Sequence, residues 1–160
     1  MMTLRRFIWL PWARKWLYLE ASFWLLLSWG LVRGLPFRFW SSWLGEQRSA
    51  DVDLMAGEGE DPRVAPICRC IESINARLGG RLTCLMLAMA AHWMLRRRNI
   101  ASSLVLGTLA ERLPDKSLKL KAHAWIHHGP GVVLGGKTGE KYSPISCFVH
   151  VSSAERGQSR

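Results

Sequence analysis

Apolar positions follow three rhythms along this chain, and each predicts a different element. Between Pro11 and about Arg33 they run almost without interruption, broken by Glu20. Pro11 suits the first turn of a helix, and Gly34 with Pro36 beyond it suits the end. A second rhythm has a helical period. Ile67, Ile71, Ile74 and Leu78 recur on one face of a segment that opens at Pro62 or Pro66 and runs through Arg77. After the breaker Arg77–Arg81, Leu87, Ala88, Ala91, Met94 and Leu95 fall at helical spacing from Cys84, so that Cys84 sits in a first turn and on the buried stripe. Thr83 is the expected N-cap, Arg96, Arg97 and Arg98 complement the C-terminal dipole, and Asn99 stops the helix. Small Ala88 and Ala91 allow a sheet to approach closely.

The third rhythm is that of strands. Ser102–Thr108 reads as a strand, a basic loop follows from Ala110 to Lys121, and Ala122–His127 reads as the next strand. His127-His128-Gly129-Pro130-Gly131 reads as a turn whose histidines face solvent, and Val132-Val133-Leu134 as a third strand. Gly45 to Pro66 holds Asp51, Asp53, Glu58, Glu60 and Asp61 among glycines and reads as a solvated linker. The predicted organisation is an apolar, basic helical region over 1–44, an acidic linker over 45–61, a core over 62–151 and a disordered tail over 152–160.

Chemistry enters with the cysteine helix. A thiol must ionise to act as a nucleophile, and the unpaired N–H groups and positive dipole end of a helix start favour a thiolate. An imidazole completes the pair or takes the proton. Cys84 at a helix start and His123 on a strand, within Ala122-His123-Ala124-Trp125, are therefore the candidate nucleophile and base. The competing reading makes Cys84 a small buried apolar residue and His123 a hydrogen-bonded structural one. His92 and His150 read as ordinary residues. The fold class expected is α+β, papain- or transglutaminase-like, with the cysteine helix packed on a small antiparallel sheet and an apolar helical region in front.

The chain resembles a known family. The segments CLMLAMAAHWMLRRRNIASSLVLGT, KAHAWIHHGPGVVLGG and YSPI are similar to those of the B proteins of lasso peptide biosynthesis, the transglutaminase-like leader peptidases. Asn99 stands where that family usually has glycine, and both residues tolerate the left-handed conformation. The resemblance implies a cysteine peptidase that removes the leader from a ribosomally made precursor before a partner closes the macrolactam ring. Cys84 would attack the scissile carbonyl and His123 would activate the thiol and protonate the leaving amine. The implied partners are the lasso precursor peptide, a separate leader-recognition protein and an ATP-dependent lasso cyclase. The first 60 residues are too few and too apolar to hold the winged-helix-like recognition element itself. The chain departs from the family in one respect. An aspartate is usual about a dozen positions after the histidine, and here the window reads Leu134-Gly135-Gly136-Lys137. Asp115 and Glu140 are the nearest carboxylates in sequence. A backbone carbonyl or a water could also orient the imidazole, so the third position stays unassigned.

Composition narrows the alternatives. Twenty-two Lys and Arg against twelve Asp and Glu leave a net charge of +10. No aromatic-laced binding motif or helix-turn-helix accompanies that charge, so nucleic acid is not expected. An acidic peptide, a cyclase surface or an anionic bilayer suits it better. Gly135-Gly136-Lys137-Thr138 lacks the earlier glycine of a phosphate loop, and any ATP belongs to the cyclase. Cys68-x-Cys70 is too tight for a zinc pair, so no metal or other cofactor is expected. On adjacent helix positions the two should point to different faces, as packing residues of a reducing compartment. Seven of the nine tryptophans lie in the first 43 residues. That region reads as a helix docked on the core or on partner proteins, as one lying at a membrane surface, or, least well because of Glu20, as a span. The expected setting is cytoplasmic, with membrane-surface contact left open. The alternative function is a non-catalytic scaffold or membrane-associated adaptor that holds precursor and cyclase.

Overall fold

The computed structural model describes residues 11–48, 61–112, 118–129, 131–136 and 141–152. In chain order the elements are α1 (Trp12–Gly34), α2 (Phe37–Trp40), a 3₁₀ turn (Ser41–Leu44), β1 (Glu46–Arg48), α3 (Val64–Arg77), α4 (Cys84–Arg97), β2 (Ser102–Arg112), β3 (Leu118–His128), β4 (Gly131–Leu134) and β5 (Ser143–His150). The strands form one five-stranded sheet in the order β1-β5-β2-β3-β4, and every neighbouring pair is antiparallel.

The cysteine helix occupies the middle of the molecule. α4 packs on β2 and β3 with one side and against α1 and α3 with others. Nine of its residues, including Met89, Ala90, Ala91, His92, Met94 and Leu95, are consequently buried, where the sequence pattern predicts one stripe. A helix covered on most of its circumference has no use for a polar face, which is why its apolar residues exceed the periodic set. Its boundaries agree with the signals read from sequence. Thr83 is extended, and its Oγ1 accepts from Met86 N–H at 3.4 Å. Asn99 adopts φ 53°, the left-handed stop.

Hydrogen bonds to the 3₁₀ turn tie the N-terminal region to α4. His92 Nε2 donates to Leu44 O at 2.7 Å, while Trp93 Nε1 and Arg96 donate to Trp43 O at 3.2 and 3.1 Å. Glu20, the one acid of the long apolar helix, turns inward. Both its oxygens take hydrogen bonds from Arg98, at 3.0 and 2.5 Å, and Arg97 lies 3.5 Å away. The Arg98 hydrogen bond, helped by the charges of Arg98 and Arg97, holds the Glu20 carboxyl below the usual range in spite of its partial burial. Among the described residues, no helix is long and apolar enough to cross a membrane.

Several expectations are corrected. The loop expected from Ala110 to Lys121 is largely strand, because β2 continues to Arg112 and β3 begins at Leu118 in register with it. Polar side chains alternate there, as a solvent-exposed hairpin extension requires. Glu46–Arg48, inside the expected linker, is an edge strand on β5. β5 itself lies next to β2 and supplies Cys147 and Phe148 to the interior. His128 is buried rather than facing solvent. Its Nδ1 donates to Ala101 O at 2.7 Å and its Nε2 accepts from Asp61 N–H at 3.1 Å. His127 is half-buried. Cys68 and Cys70 are both buried, because α3 is covered on two sides, by α1 and by α4. The tail beyond Ser152 and the acidic stretch 49–60 lie outside the described residues.

Candidate active site

The loop before Cys84 is held by the end of α3. Gly79 and Gly80 both adopt φ 70°, and Gly80 N–H returns to Asn75 O at 2.9 Å. The Asn75 side chain then accepts from Leu82 N–H at 3.1 Å. This delivers Thr83 to the cap position and Cys84 to the first helical residue. The first bond of the α4 ladder runs from Leu87 N–H to Thr83 O at 3.1 Å, so the N–H groups of Cys84 and Leu85 precede the ladder and belong to the dipole's positive end. Cys84 is partly exposed, with its packed side against the main core. The other three free cysteines are buried. Burial pushes the Cys68 thiol up to about 12, with Glu72 adding to the effect, and pushes Cys70 up to about 11. Such thiols are packing residues.

His123 lies on β3 opposite Gly107 of β2. Its ring stacks on Trp125 at 5.9 Å between centroids and meets Tyr142 at 5.0 Å. Trp125 crosses directly over Gly107, where a Cβ would come within 2.6 Å of the indole, so the position requires glycine. The imidazole Nε2 lies 3.0 Å from the carbonyl oxygen of Gly135, twelve residues on. A carbonyl oxygen only accepts, so Nε2 donates, and in the neutral ring Nδ1 is then the basic nitrogen. Gly135 itself has φ 81°, and a Cβ there would meet Ala124 O and Trp125 Cβ, each at 3.0 Å. The window in which an acid is missing thus supplies a backbone acceptor instead. The twelve-residue spacing together with a glycine pair was the available signal in the sequence. Asp115 and Glu140 lie outside the described residues.

Both candidates lie away from the turn that joins α4 to β2. α4 leads by a short turn into β2, and the segments run back along each other. Cys84 is roughly 20 Å from the C-terminal end of α4 and Gly107 roughly 17 Å from the start of β2. Among the described residues no hydrogen bond joins Cys84 Sγ to His123. The pleat places Ala124 and Ile126 in the main core that includes α4. His123 and Trp125 alternate to the other face, where Trp125 packs with Val105, Cys147 and Val149. A groove of about 500 Å³ between α1 and α3 ends at Arg81 and Leu82, next to the Cys84 cap, and Leu25, Leu26, Trp29, Ile74 and Leu78 give it an apolar lining. Among the described residues, no group of three or more His, Cys, Asp or Glu gathers as a metal site.

The family pattern described as the transglutaminase-like superfamily matches residues 31–147, well over half of the chain and every strand but the last residues of β5. The chain belongs to the transglutaminase-like superfamily. This superfamily includes cysteine peptidases, and its matched region here contains Cys84, His123 and Gly135. A search of curated proteins finds no match, and neither does a search of solved structures.

Proposed function

We propose that the chain is a cysteine peptidase that removes the leader from a ribosomally synthesised lasso peptide precursor. The observation that carries this reading is a partly exposed thiol at a capped helix start; a second, separate one is an imidazole whose Nε2–H is committed to Gly135 O. Cys84 Sγ, as thiolate, attacks the scissile carbonyl. The N–H of Cys84 is a ready donor to the oxyanion. His123 gives its proton to the leaving amine, and the amide bond breaks to leave an acyl-thioester. Water then attacks that carbonyl, His123 takes its proton, and the thiolate departs. In the substrate complex Nδ1 would exchange protons with sulfur, and the hydrogen bond to Gly135 O does the orienting work that an aspartate does elsewhere. The new amino terminus of the core peptide is what an ATP-dependent cyclase would consume, and a separate leader-recognition protein would present the precursor.

The pleat carries His123 on the sheet face away from α4, so the reading requires a rearrangement that brings Sγ and the imidazole within contact distance in the substrate complex. Oxidation of a His123→Cys variant tests that approach by disulfide formation with Cys84. Activity is tested by mixing the purified chain, its precursor and the recognition partner and following leader release by mass spectrometry. Release that vanishes in Cys84→Ala is the expected result; intact precursor at saturating partner would defeat the reading. That second outcome would favour a scaffold that holds precursor and cyclase, a reading supported by the exposed apolar face of α1.

A further inference from the structure

α1 is apolar on both of its sides, and among the described residues only one of them is packed into the core. Ala21, Leu25, Ser28 and Leu31 face the interior. On the opposite side Trp12, Trp16, Leu19, Phe23, Leu26 and Trp29 form a continuous outward stripe at three- and four-residue spacing, each between 44 and 75% exposed. Phe39 and Trp43 beyond α1 are also exposed, at 57% and 55%. A patch of this kind marks an interaction surface. The groove against α3 shares Leu26 and Trp29 with it and extends the same apolar surface.

Charge says what covers it. Residues 11–44 carry Arg14, Lys15, Arg33 and Arg38, and a single acid, Glu20. Glu20 is turned away from the stripe into its pairing with Arg98 and Arg97. The cations sit on the aromatic rings: Lys15 Nζ lies 5.2 Å from the Trp12 ring, the Arg33 guanidinium 5.9 Å from Trp29, and that of Arg38 4.9 Å from Phe39. Rings of tryptophan and phenylalanine beside long basic side chains match the boundary between acyl chains and anionic headgroups, where the ring enters and the cation stays with phosphate. A second copy of the chain fits poorly, because it would bring four cations against the same four. The helix is too polar to span.

We propose that α1 is an in-plane membrane anchor. Its Trp12–Trp29 stripe lies at the headgroup–acyl boundary of an anionic bilayer, and Lys15, Arg33 and Arg38 contact lipid phosphates. This goes beyond the peptidase reading and is independent of it. The test is flotation of the full chain with phosphatidylcholine vesicles, with and without phosphatidylglycerol, at low and high salt. Tryptophan quenching by brominated acyl chains reports depth. The wild-type chain is expected to float with the anionic vesicles, to release with salt and to be quenched. Phe23→Glu/Leu26→Glu should lower the bound fraction by about tenfold or more at unchanged circular dichroism. Arg33→Glu/Arg38→Glu, which leaves the stripe apolar, should remove the preference for phosphatidylglycerol. A wild-type chain that stays unbound with both vesicles would overturn the proposal. So would equal flotation of the folded Phe23→Glu/Leu26→Glu chain, or a lipid-free dimer in light scattering that this variant dissociates while no vesicle is bound.

Discussion

The two cysteine-bearing helices of this molecule are of equal length and close in sequence, and they treat sulfur in opposite ways. α3 carries Cys68 and Cys70 in its body, between α1 and α4, where apolar surroundings hold both thiols protonated. α4 carries Cys84 at its first residue, behind a threonine cap and partly open to solvent. The residue type is the same in each case. What differs is the position along a helix, because only the first turn offers unpaired N–H groups, and Cys68 and Cys70 lie on the covered sides of α3. A reactive thiol is thus expected at the terminus, while Met86 and the run Ala88–Leu95 of α4 are committed to packing.

The largest expected effect tests that contrast directly. Cys84→Ala should lower leader release by about a thousandfold or more. Cys68→Ala and Cys70→Ala should leave turnover per folded molecule nearly unchanged, and steady-state kinetics with a purity-corrected active fraction reads both. Chemical labelling sharpens the comparison without a substrate. In native buffer iodoacetamide should alkylate Cys84 about a hundredfold faster than Cys68 or Cys70, as followed by peptide mass mapping. Comparable rates at all three would mean that the helix start confers nothing.

Gly135 tests the partner side. Gly135→Ala places a Cβ against Ala124 O and Trp125 at a left-handed φ, so the carbonyl that accepts the hydrogen bond from His123 Nε2–H must move. A loss of roughly 10–100-fold in kcat, with KM little changed and the fold intact by circular dichroism, is expected from a misoriented base. Unchanged kcat in that variant would remove Gly135 O from the orienting role.

The buried middle of α4 makes a further prediction through His92. Burial pushes its imidazole down to about 4, against the partly offsetting hydrogen bond to Leu44 O, and His150 and Arg96 push the same way as burial. The unfolded chain then binds one more proton than the folded one between about pH 6.5 and 4. The neutral form's contribution is complete above pH 6.5 and is lost as pH falls through that window. The loss is about 3 kcal/mol, which urea unfolding at pH 7.5 and 4.5 should largely reveal and His92→Gln should diminish. The smallest effect is at the cap. Thr83→Ala removes the hydrogen bond to Met86 N–H and should cost about 1 kcal/mol in the same unfolding assay.

Much of the frame was legible in the chain alone. Pro11, Gly34, Thr83 and Asn99 mark helix boundaries within a residue of where they fall, since caps and breakers are local and act through the backbone of their own segment. The cysteine's place at a helix start follows from the same signals. The sheet was read less well. β1 and β5 have little pattern of their own and exist because each finds an edge to pair with, and the β2–β3 hairpin outlasts its apolar residues because strand pairing carries it on. Whether His128 meets water depended on Ala101 and Asp61, which are far from it in sequence.

By itself the sequence determined which residues could carry chemistry and where α1 and α4 begin and end, because capping, turn geometry and periodicity are decided within a few residues. Tertiary structure alone decided that α4 is buried on most sides, that Glu20 pairs with Arg98, and that Gly135 O receives the His123 imidazole. Each of these joins segments far apart along the chain, and no local rule encodes such a distance. The outward stripe of α1 belongs to both: its apolar residues are written in the chain, and only packing shows which of them the interior leaves uncovered.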